Sequence, residues 1–284
     1  MKQVLLCSAV CTALAMPLAT GTAGATRGAE VVRTVYFSAS DASGAFVTDL
    51  TAADLAVKEG GKDRPIAAVE RATAPILVSI LVDDGGTGGF QGAVAQFLNV
   101  LMGKAQFAIR AFNPQPSRLT DFTDDVGTLK TALEGVGPRG RVPSTGEQML
   151  DALAQAAKEL KQRKAARGAI VVLTVAGEAA QSHLADATLG ALQSSGASLT
   201  VVHLAGLQLG EVLGDGPKRS GGMVQQIGGG VVQGTLLAKI SDTLLNQYVL
   251  TYTLPDGVKP NEKLSLTTSR RGVTLLAPTR LPDK

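Results

Sequence analysis

One apolar run constrains the fold of this chain more than any other feature. Residues 75–82 read PILVSILV, in which Ser79 is the only polar residue. A strand with one solvated face alternates apolar and polar residues, whereas a continuous apolar run is typical of a strand covered on both faces. Such strands occur in parallel sheets that lie between two layers of helices. The run therefore predicts an α/β fold with a buried central sheet.

The residues after this run alternate strand patterns with helix patterns. Strands are predicted at 106–112, 169–174 and 199–204, and helices at about 90–102, 146–164 and 236–244. The helix at 146–164 has the clearest pattern, because its apolar residues recur at a spacing of 3.6. Strand–helix–strand units form parallel sheets through right-handed crossovers. The expected fold is a doubly wound, mostly parallel sheet with helices on both faces.

Short β patterns flank this core on both sides. Before it, strand candidates lie at 35–37, 55–59 and 66–69, and after it at 248–253, 264–268 and 273–276. Each set is too small to bury a face by itself, so the two terminal segments are predicted to pair with each other. The chain would then divide into segments 26–73, 74–246 and 247–284. The glycine-rich stretch 206–222 is expected to be a surface loop.

The amino terminus has the pattern of a secretory signal peptide. Lys2 precedes an apolar run over residues 4–19, and residues 23–25 read AGA, a small-residue cleavage pattern. The run is shorter than the ~20 residues that span a bilayer, which argues against a membrane anchor. We therefore expect residues 1–25 to be removed and the mature protein to be periplasmic or extracellular, with no membrane span.

Composition narrows the chemistry that the mature chain can use. Cys7 and Cys11 are the only cysteines, and both lie in the predicted signal peptide. The mature chain is therefore expected to have no disulfide and no cysteine-ligated metal. The full chain has 27 lysines and arginines against 24 aspartates and glutamates. Because these numbers are nearly equal, the net charge does not favour nucleic acid as a partner.

Several motifs, taken in order, resemble those of the bacterial von Willebrand factor A-related exported proteins, known first from acidobacteria. The segment SILVDDGGTG at 79–88 stands where von Willebrand factor A domains carry a D-x-S-x-S metal motif. Residues 44–62 resemble the lead-in of that family. Gly228-Gly229 and QYVLTY at 247–252 resemble its late Gly-Gly pair and its QY-x-L-x-Y strand. The resemblance implies a von Willebrand A-like fold that binds ligands or proteins and is not an enzyme.

The resemblance also implies where a metal would bind. In such domains Mg²⁺ or Ca²⁺ is held by oxygen ligands at the carboxyl edge of the sheet, and a partner carboxylate completes the site. The matching positions here are Asp83, Thr87 and Thr145. Gly85 replaces the first serine of the motif, and Val175 replaces the aspartate of a later LTDG pattern. The resemblance therefore implies a degenerate metal-ion-dependent adhesion site, and no cofactor is expected.

Three functions from different classes remain open on the sequence alone. The first is a binding or adhesion module for a protein or another envelope macromolecule, whose identity the sequence does not give. Its predicted binding surface consists of three loops, at residues 83–89, 138–145 and 175–178. In the last loop, Glu178 offers a substitute carboxylate for a metal.

The second function is an exported hydrolase or metalloenzyme centred on Asp83 and His203, although the G-x-S-x-G nucleophile motif is missing from the sequence. The third is a structural component of the envelope.

Overall fold

The structure is a computed structural model that describes residues 31–112, 116–140, 146–178, 182–228, 230 and 232–282. The predicted signal peptide, Thr145 and Gly229 lie outside these residues. The strands are β1 (Val31–Ser40), β2 (Leu55–Glu59), β3 (Lys62–Arg64), β4 (Ile66–Arg71), β5 (Ile76–Asp83), β6 (Ala105–Phe112), β7 (Pro116–Thr123), β8 (Gly168–Thr174), β9 (Ser198–Leu204), β10 (Val224–Ile227), β11 (Tyr248–Leu254), β12 (Leu264–Thr268) and β13 (Thr274–Leu276). The helices are α1 (Gln91–Leu101), α2 (Val126–Glu134), α3 (Gly146–Gln162), α4 (Ala185–Ser195), α5 (Gly216–Ser220) and α6 (Gln233–Leu245).

The central sheet has six strands in the order β10-β9-β8-β5-β6-β7. The first five are parallel, and β7 runs antiparallel to β6 at the edge. Even-numbered residues of β5, such as Ile80, pack with α1 and α6, while Leu81 packs with α3 and α4 on the other face. The apolar run therefore becomes a strand covered on both faces. The predicted α/β class, a mostly parallel sheet between two helical layers, is confirmed.

Two elements show where the sequence patterns were insufficient. Strand β7 reads PSRLTDFT, and its mixed polar pattern gave no strand signal because it is an edge strand with one neighbour. The glycine-rich stretch was predicted to be a surface loop, and this is wrong over part of its length. A π-helical turn, Glu211–Asp215, is followed there by α5, and Val212 and Leu213 are fully buried against α4 and β9. None of the described helices combines the length and the apolar character needed to cross a bilayer.

Two antiparallel sheets flank the central one, as the β patterns at the chain ends predicted. One has the order β13-β1-β11-β4, and the other has the order β12-β2-β3. Residues 31–37 of β1 pair with β11, with Val35 opposite Leu250, and residues 38–40 pair with β13. In the core between the two sheets, the rings of Phe37 and Tyr248 stack at 5.2 Å. Strands from the two ends of the chain therefore complete each other's sheets, while the exact division into segments stays a prediction.

Arg167 ties the central sheet to the flanking strands. It lies just before β8, is 7% exposed, and donates from Nη1 to the carbonyls of Ala72 and Ala74 at 3.3 and 3.0 Å. Its Nε donates to Oε1 of Gln247 at 2.9 Å, and its Nη2 donates to the carbonyl of Leu244. Both connections between the α/β core and the flanking sheets are thus held by one buried side chain.

Candidate functional site

The carboxyl edge of the central sheet carries a row of polar residues. Asp83 ends β5 and is the register partner of Thr174 on β8, which is in turn the partner of His203 on β9. Partners in a parallel register point to the same face, here the face of α3 and α4. Neighbouring strands are about 4.8 Å apart, so Asp83 and His203 are separated by roughly 10 Å with Thr174 between them. Asp83 and His203 are buried, at 2% and 6% exposure.

The loop after β5 is closed by its own hydrogen bonds. Asp84 is buried, and its Oδ1 accepts the N–H of Gly86 at 2.9 Å. The hydroxyl of Thr87 donates to the carbonyl oxygen of Asp84 at 2.9 Å and accepts the N–H of Gly89 at 3.3 Å. Thr87 itself is exposed. Its hydroxyl hydrogen is nevertheless already donated to Asp84, and this bond helps to form the turn that leads into α1.

The loop after α2 packs directly on this turn. The N–H of Arg139 donates to the carbonyl of Gly86 at 3.0 Å. Gly88 has a φ of 74°, and a Cβ placed on it would lie 2.6 Å from Cδ of Pro138. Only glycine allows both the left-handed backbone and this close approach. Two of the three predicted loops are thus in contact, although Thr145 lies outside the described residues.

The third loop begins beside Asp83 and ends at a cap for another element. The N–H of Val175 donates to the carbonyl of Asp83 at 2.9 Å. Glu178 accepts the N–H groups of Val212 and Leu213 at 3.1 and 2.7 Å, at the start of the π-helical turn. A carboxylate is favoured there because the N–H groups at the start of a helical turn carry partial positive charge. The expectation that Glu178 serves as a substitute metal ligand is therefore wrong.

A family comparison matches the middle part of the chain. Residues 89–178, from the loop after β5 to Glu178, match the family model of the von Willebrand factor type A domain. The chain has a von Willebrand factor A-like fold. The matched residues include α1 to β8, and the strands on either side complete the sheet. Among curated proteins, none matches the chain significantly.

Several solved structures are similar to this chain. A von Willebrand factor type A protein from Catenulispora acidiphila is 13% identical, with 91% of this chain and 75% of that chain covered and a TM-score of 0.47. BatB from Bacteroides thetaiotaomicron is 13% identical, with coverages of 60% and 98% and a TM-score of 0.43. Proximal thread matrix protein 1 from the mussel byssus, described with a zinc-occupied MIDAS motif, is 10% identical, with coverages of 66% and 49% and a TM-score of 0.46.

The donors of the von Willebrand A-like domain can be compared with what a divalent cation requires. Mg²⁺ and Ca²⁺ take at least six oxygen ligands. The described residues offer the Asp83 carboxylate, the buried Oδ2 of Asp84 and the Thr87 hydroxyl, whose hydrogen is already donated. Val175 is apolar, and no group of three or more His, Cys, Asp or Glu side chains suited to a metal occurs in the described part of the chain. These donors do not fit a cation by themselves, and the assignment of Asp83, Thr87 and Thr145 stays a prediction.

His203 of the von Willebrand A-like domain is held by its neighbour. Its Nδ1 lies 2.8 Å from the carbonyl oxygen of Leu204, so the neutral ring carries its hydrogen on Nδ1 and donates it there. The sequence correctly predicted that His203 and Asp83 reach the same sheet edge. It did not indicate that Thr174 lies between them. It also did not indicate the hydrogen bond from Arg139 to Gly86, because this bond joins two loops that are distant in the chain.

Proposed function

We propose that this protein is an exported, non-catalytic module that binds another macromolecule at the carboxyl edge of its central sheet. The binding surface comprises the exposed, described residues of the first two loops, and we call it the loop surface: Thr87, Gly89, Pro138, Arg139 and Gly140. The observation that carries the proposal is the contact between these loops, through the 3.0 Å hydrogen bond from Arg139 to Gly86 and the packing of Gly88 on Pro138.

A surface of this kind loses little conformational freedom when a partner binds. Ordering a flexible loop lowers affinity, whereas loops already held by internal bonds avoid that cost. The first loop is held by the hydrogen bonds of Asp84 and by the packing of Gly88 on Pro138 of the second loop. Pre-organised loops on a buried sheet are a common arrangement for binding sites in proteins.

Arg139 is the side chain on this surface best suited to anchor a partner. Arginine is enriched among the residues that carry most of the binding energy of protein interfaces. Arg139 is exposed, its backbone is fixed, and none of the ion pairs among the described residues includes it. A partner with a carboxylate facing this position would complete the guanidinium's hydrogen bonds.

Site-specific photo-crosslinking in intact cells tests this proposal. A photoreactive benzophenone side chain is placed at Thr87 or Arg139, and at Lys239 as a matched control on the exposed side of α6. We expect the same high-mass adduct from positions 87 and 139 and none from 239. Adducts of equal yield at all three positions would instead support a structural envelope component without a defined binding site.

The row of Asp83, Thr174 and His203 supports a second candidate, an exported hydrolase or metalloenzyme. These buried polar residues share one face and one sheet edge. Calorimetry with Mg²⁺ and Ca²⁺, together with hydrolysis assays on ester and peptide substrates, tests this alternative. Turnover abolished by His203→Gln, or cation binding abolished by Asp83→Asn, would favour the enzyme over the binding module.

A further inference from the structure

A cavity lies at the end of the central sheet opposite the loop surface. It has a volume of about 620 Å³ and is bounded by the starts of β8 and β9, the ends of α3 and α4, strand β1 and residues 278–282. Ligand sites in proteins commonly have volumes of about 300–1,000 Å³. The cavity lies between the central sheet and the flanking β strands, a location where small-molecule sites often form.

The charged residues that line this cavity are all basic. They are Arg33, Lys161, Lys164, Arg167, Arg219 and Arg280, and no acidic residue is among the described residues that line it. Three of the arginines have acidic partners outside the lining, namely Glu59, Glu211 and Glu262. Arg167 is bonded only to carbonyl and amide oxygens. The two lysines and Arg167 therefore contribute positive charge that acidic residues of the described chain do not neutralise by ion pairing.

Lys164 has an unusual backbone for a lysine. Its φ is 51°, and among the described residues it is the only one other than glycine with a positive φ. It lies two residues after the last residue of α3, where the N–H of Ala165 bonds to the carbonyl of Leu160 at 3.0 Å. Glycine is the usual residue at this position because a side chain is strained there. The helix dipole accounts for a cation near the end of α3 but not for one in the strained position.

The other side of the cavity is apolar. Leu189 and Leu192 of α4 line it but are almost fully buried, and the partly exposed Ala165, Pro278 and Pro282 complete this wall. The cavity therefore combines a cationic rim with an apolar wall. Such a combination fits a molecule with one anionic group and one apolar group better than it fits a bare inorganic ion.

We propose that this cavity binds an anionic amphiphile, a molecule with a carboxylate head and an aliphatic body. The carboxylate would pair with Lys161 and Lys164, which are both exposed at the rim. The aliphatic body would lie against the partly exposed Ala165, Pro278 and Pro282, and burial of their apolar surface would add to the affinity. This site is separate from the loop surface and does not depend on the proposed function.

Titration calorimetry on the full mature chain tests the class of ligand. The probes are decanoate, decan-1-ol and inorganic phosphate, each below any concentration at which it aggregates. We expect saturable binding of decanoate, at least tenfold weaker binding of decan-1-ol, and no binding of phosphate. Equal affinity for the acid and the alcohol would overturn the role of charge. Phosphate binding as tightly as decanoate would overturn the amphiphile in favour of an ion site.

Paired substitutions test the location of the site. We expect Lys161→Gln with Lys164→Gln to weaken decanoate binding at least tenfold. The matched control, Lys158→Gln with Lys239→Gln, removes the same charge from exposed positions outside the cavity and should change affinity less than twofold. Equal losses in the two double variants would mean that only net charge matters, and an unchanged affinity in the first would place the site elsewhere.

A single variant separates binding from stability. Lys164→Gly relieves the left-handed backbone, so we expect a higher melting temperature together with weaker decanoate binding. Because this variant is stabilised, its loss of binding could not be explained by unfolding. A higher melting temperature with unchanged binding would show that Lys164 serves only to terminate α3. Its proposed role in binding the carboxylate would then be wrong.

Discussion

At the scale of single residues, the third loop shows how a carboxylate near the sheet edge is used. The family resemblance implies an aspartate where this chain has Val175, and the next acid along the chain, Glu178, accepts two backbone N–H groups. The carboxylate of Glu178 therefore stabilises the start of the π-helical turn. This use brings residues 211–215 next to the third loop.

Replacing Glu178 should consequently reduce stability. In Glu178→Ala, the N–H groups of Val212 and Leu213 lose charge-assisted hydrogen bonds, and we expect the free energy of unfolding to fall by about 2 kcal/mol. Urea denaturation measures the change. Glu70→Ala, at an exposed position of β4, should change stability by less than about 0.5 kcal/mol. A loss in Glu178→Ala no larger than in this control would contradict the proposed cap.

A second feature at the scale of single residues is the buried carboxylate of Glu59 between the flanking sheets. Glu59 is fully buried, its Oε2 accepts the hydroxyl of Tyr252, and its Oε1 lies 3.7 Å from Nη1 of Arg33. Burial, and secondly the hydrogen bond to Glu59, raise the pKa of Tyr252 above its ordinary value of about 10. The neutral phenol is thus favoured in the folded protein.

This shift predicts a loss of stability at alkaline pH. Because the pKa is higher in the folded protein, the contribution of Tyr252 is complete below the unfolded pKa of about 10 and falls as pH rises towards the folded value. Above about pH 10, this residue should lower the free energy of unfolding by about 1.4 kcal/mol per pH unit. Denaturation of the wild type and Tyr252→Phe between pH 8 and 11 measures the difference. Parallel curves for the two proteins would be inconsistent with the raised pKa.

At the scale of secondary-structure elements, strong patterns were predictable and weak ones were not. The predicted strand at 55–59 corresponds to β2 and the strand at 264–268 to β12 without any shift of bounds. The edge strand β7 and the helix α4 gave no clear pattern. Edge strands bury only part of their surface, and α4 has small and polar residues over much of its length, so neither needs a regular apolar pattern.

The two glycines around the start of α1 should respond in opposite ways to the same substitution. Gly88→Ala puts a side chain at a left-handed position and against Pro138, and we expect it to cost about 1–2 kcal/mol. Gly92 lies inside α1 with open space beside it, so Gly92→Ala should stabilise the protein by about 0.5–1 kcal/mol. Urea denaturation of both variants measures the signs. Stabilisation by Gly88→Ala would contradict the contact between the two loops.

At the scale of the whole molecule, the central and flanking sheets share their structural support. Strand β11 follows α6 directly and pairs with both β1 and β4, so each end of the chain needs the other. Arg167 bonds to residues on both sides of the α/β core. These shared contacts should make the three sheets unfold together.

We therefore expect one calorimetric transition for the protein, with equal calorimetric and van't Hoff enthalpies. Arg167→Ala leaves buried carbonyl groups without a donor and should lower the free energy of unfolding by about 3 kcal/mol or more. Arg271→Ala, at an exposed turn, should change it by less than about 0.5 kcal/mol. Two separate transitions in the wild-type protein would show that the sheets are independent.

The sequence by itself determined the class of fold and the location of the sheet edge. The run at residues 75–82 requires cover on both faces, and the alternation of strands and helices orders them into a parallel sheet, because these patterns follow from local geometry and burial. Only the tertiary structure decided which residues meet. The contact of Arg139 with Gly86, the use of Glu178 as a cap and the basic cavity each join segments far apart in the chain. Such contacts depend on how elements pack, and no local pattern in the sequence encodes them.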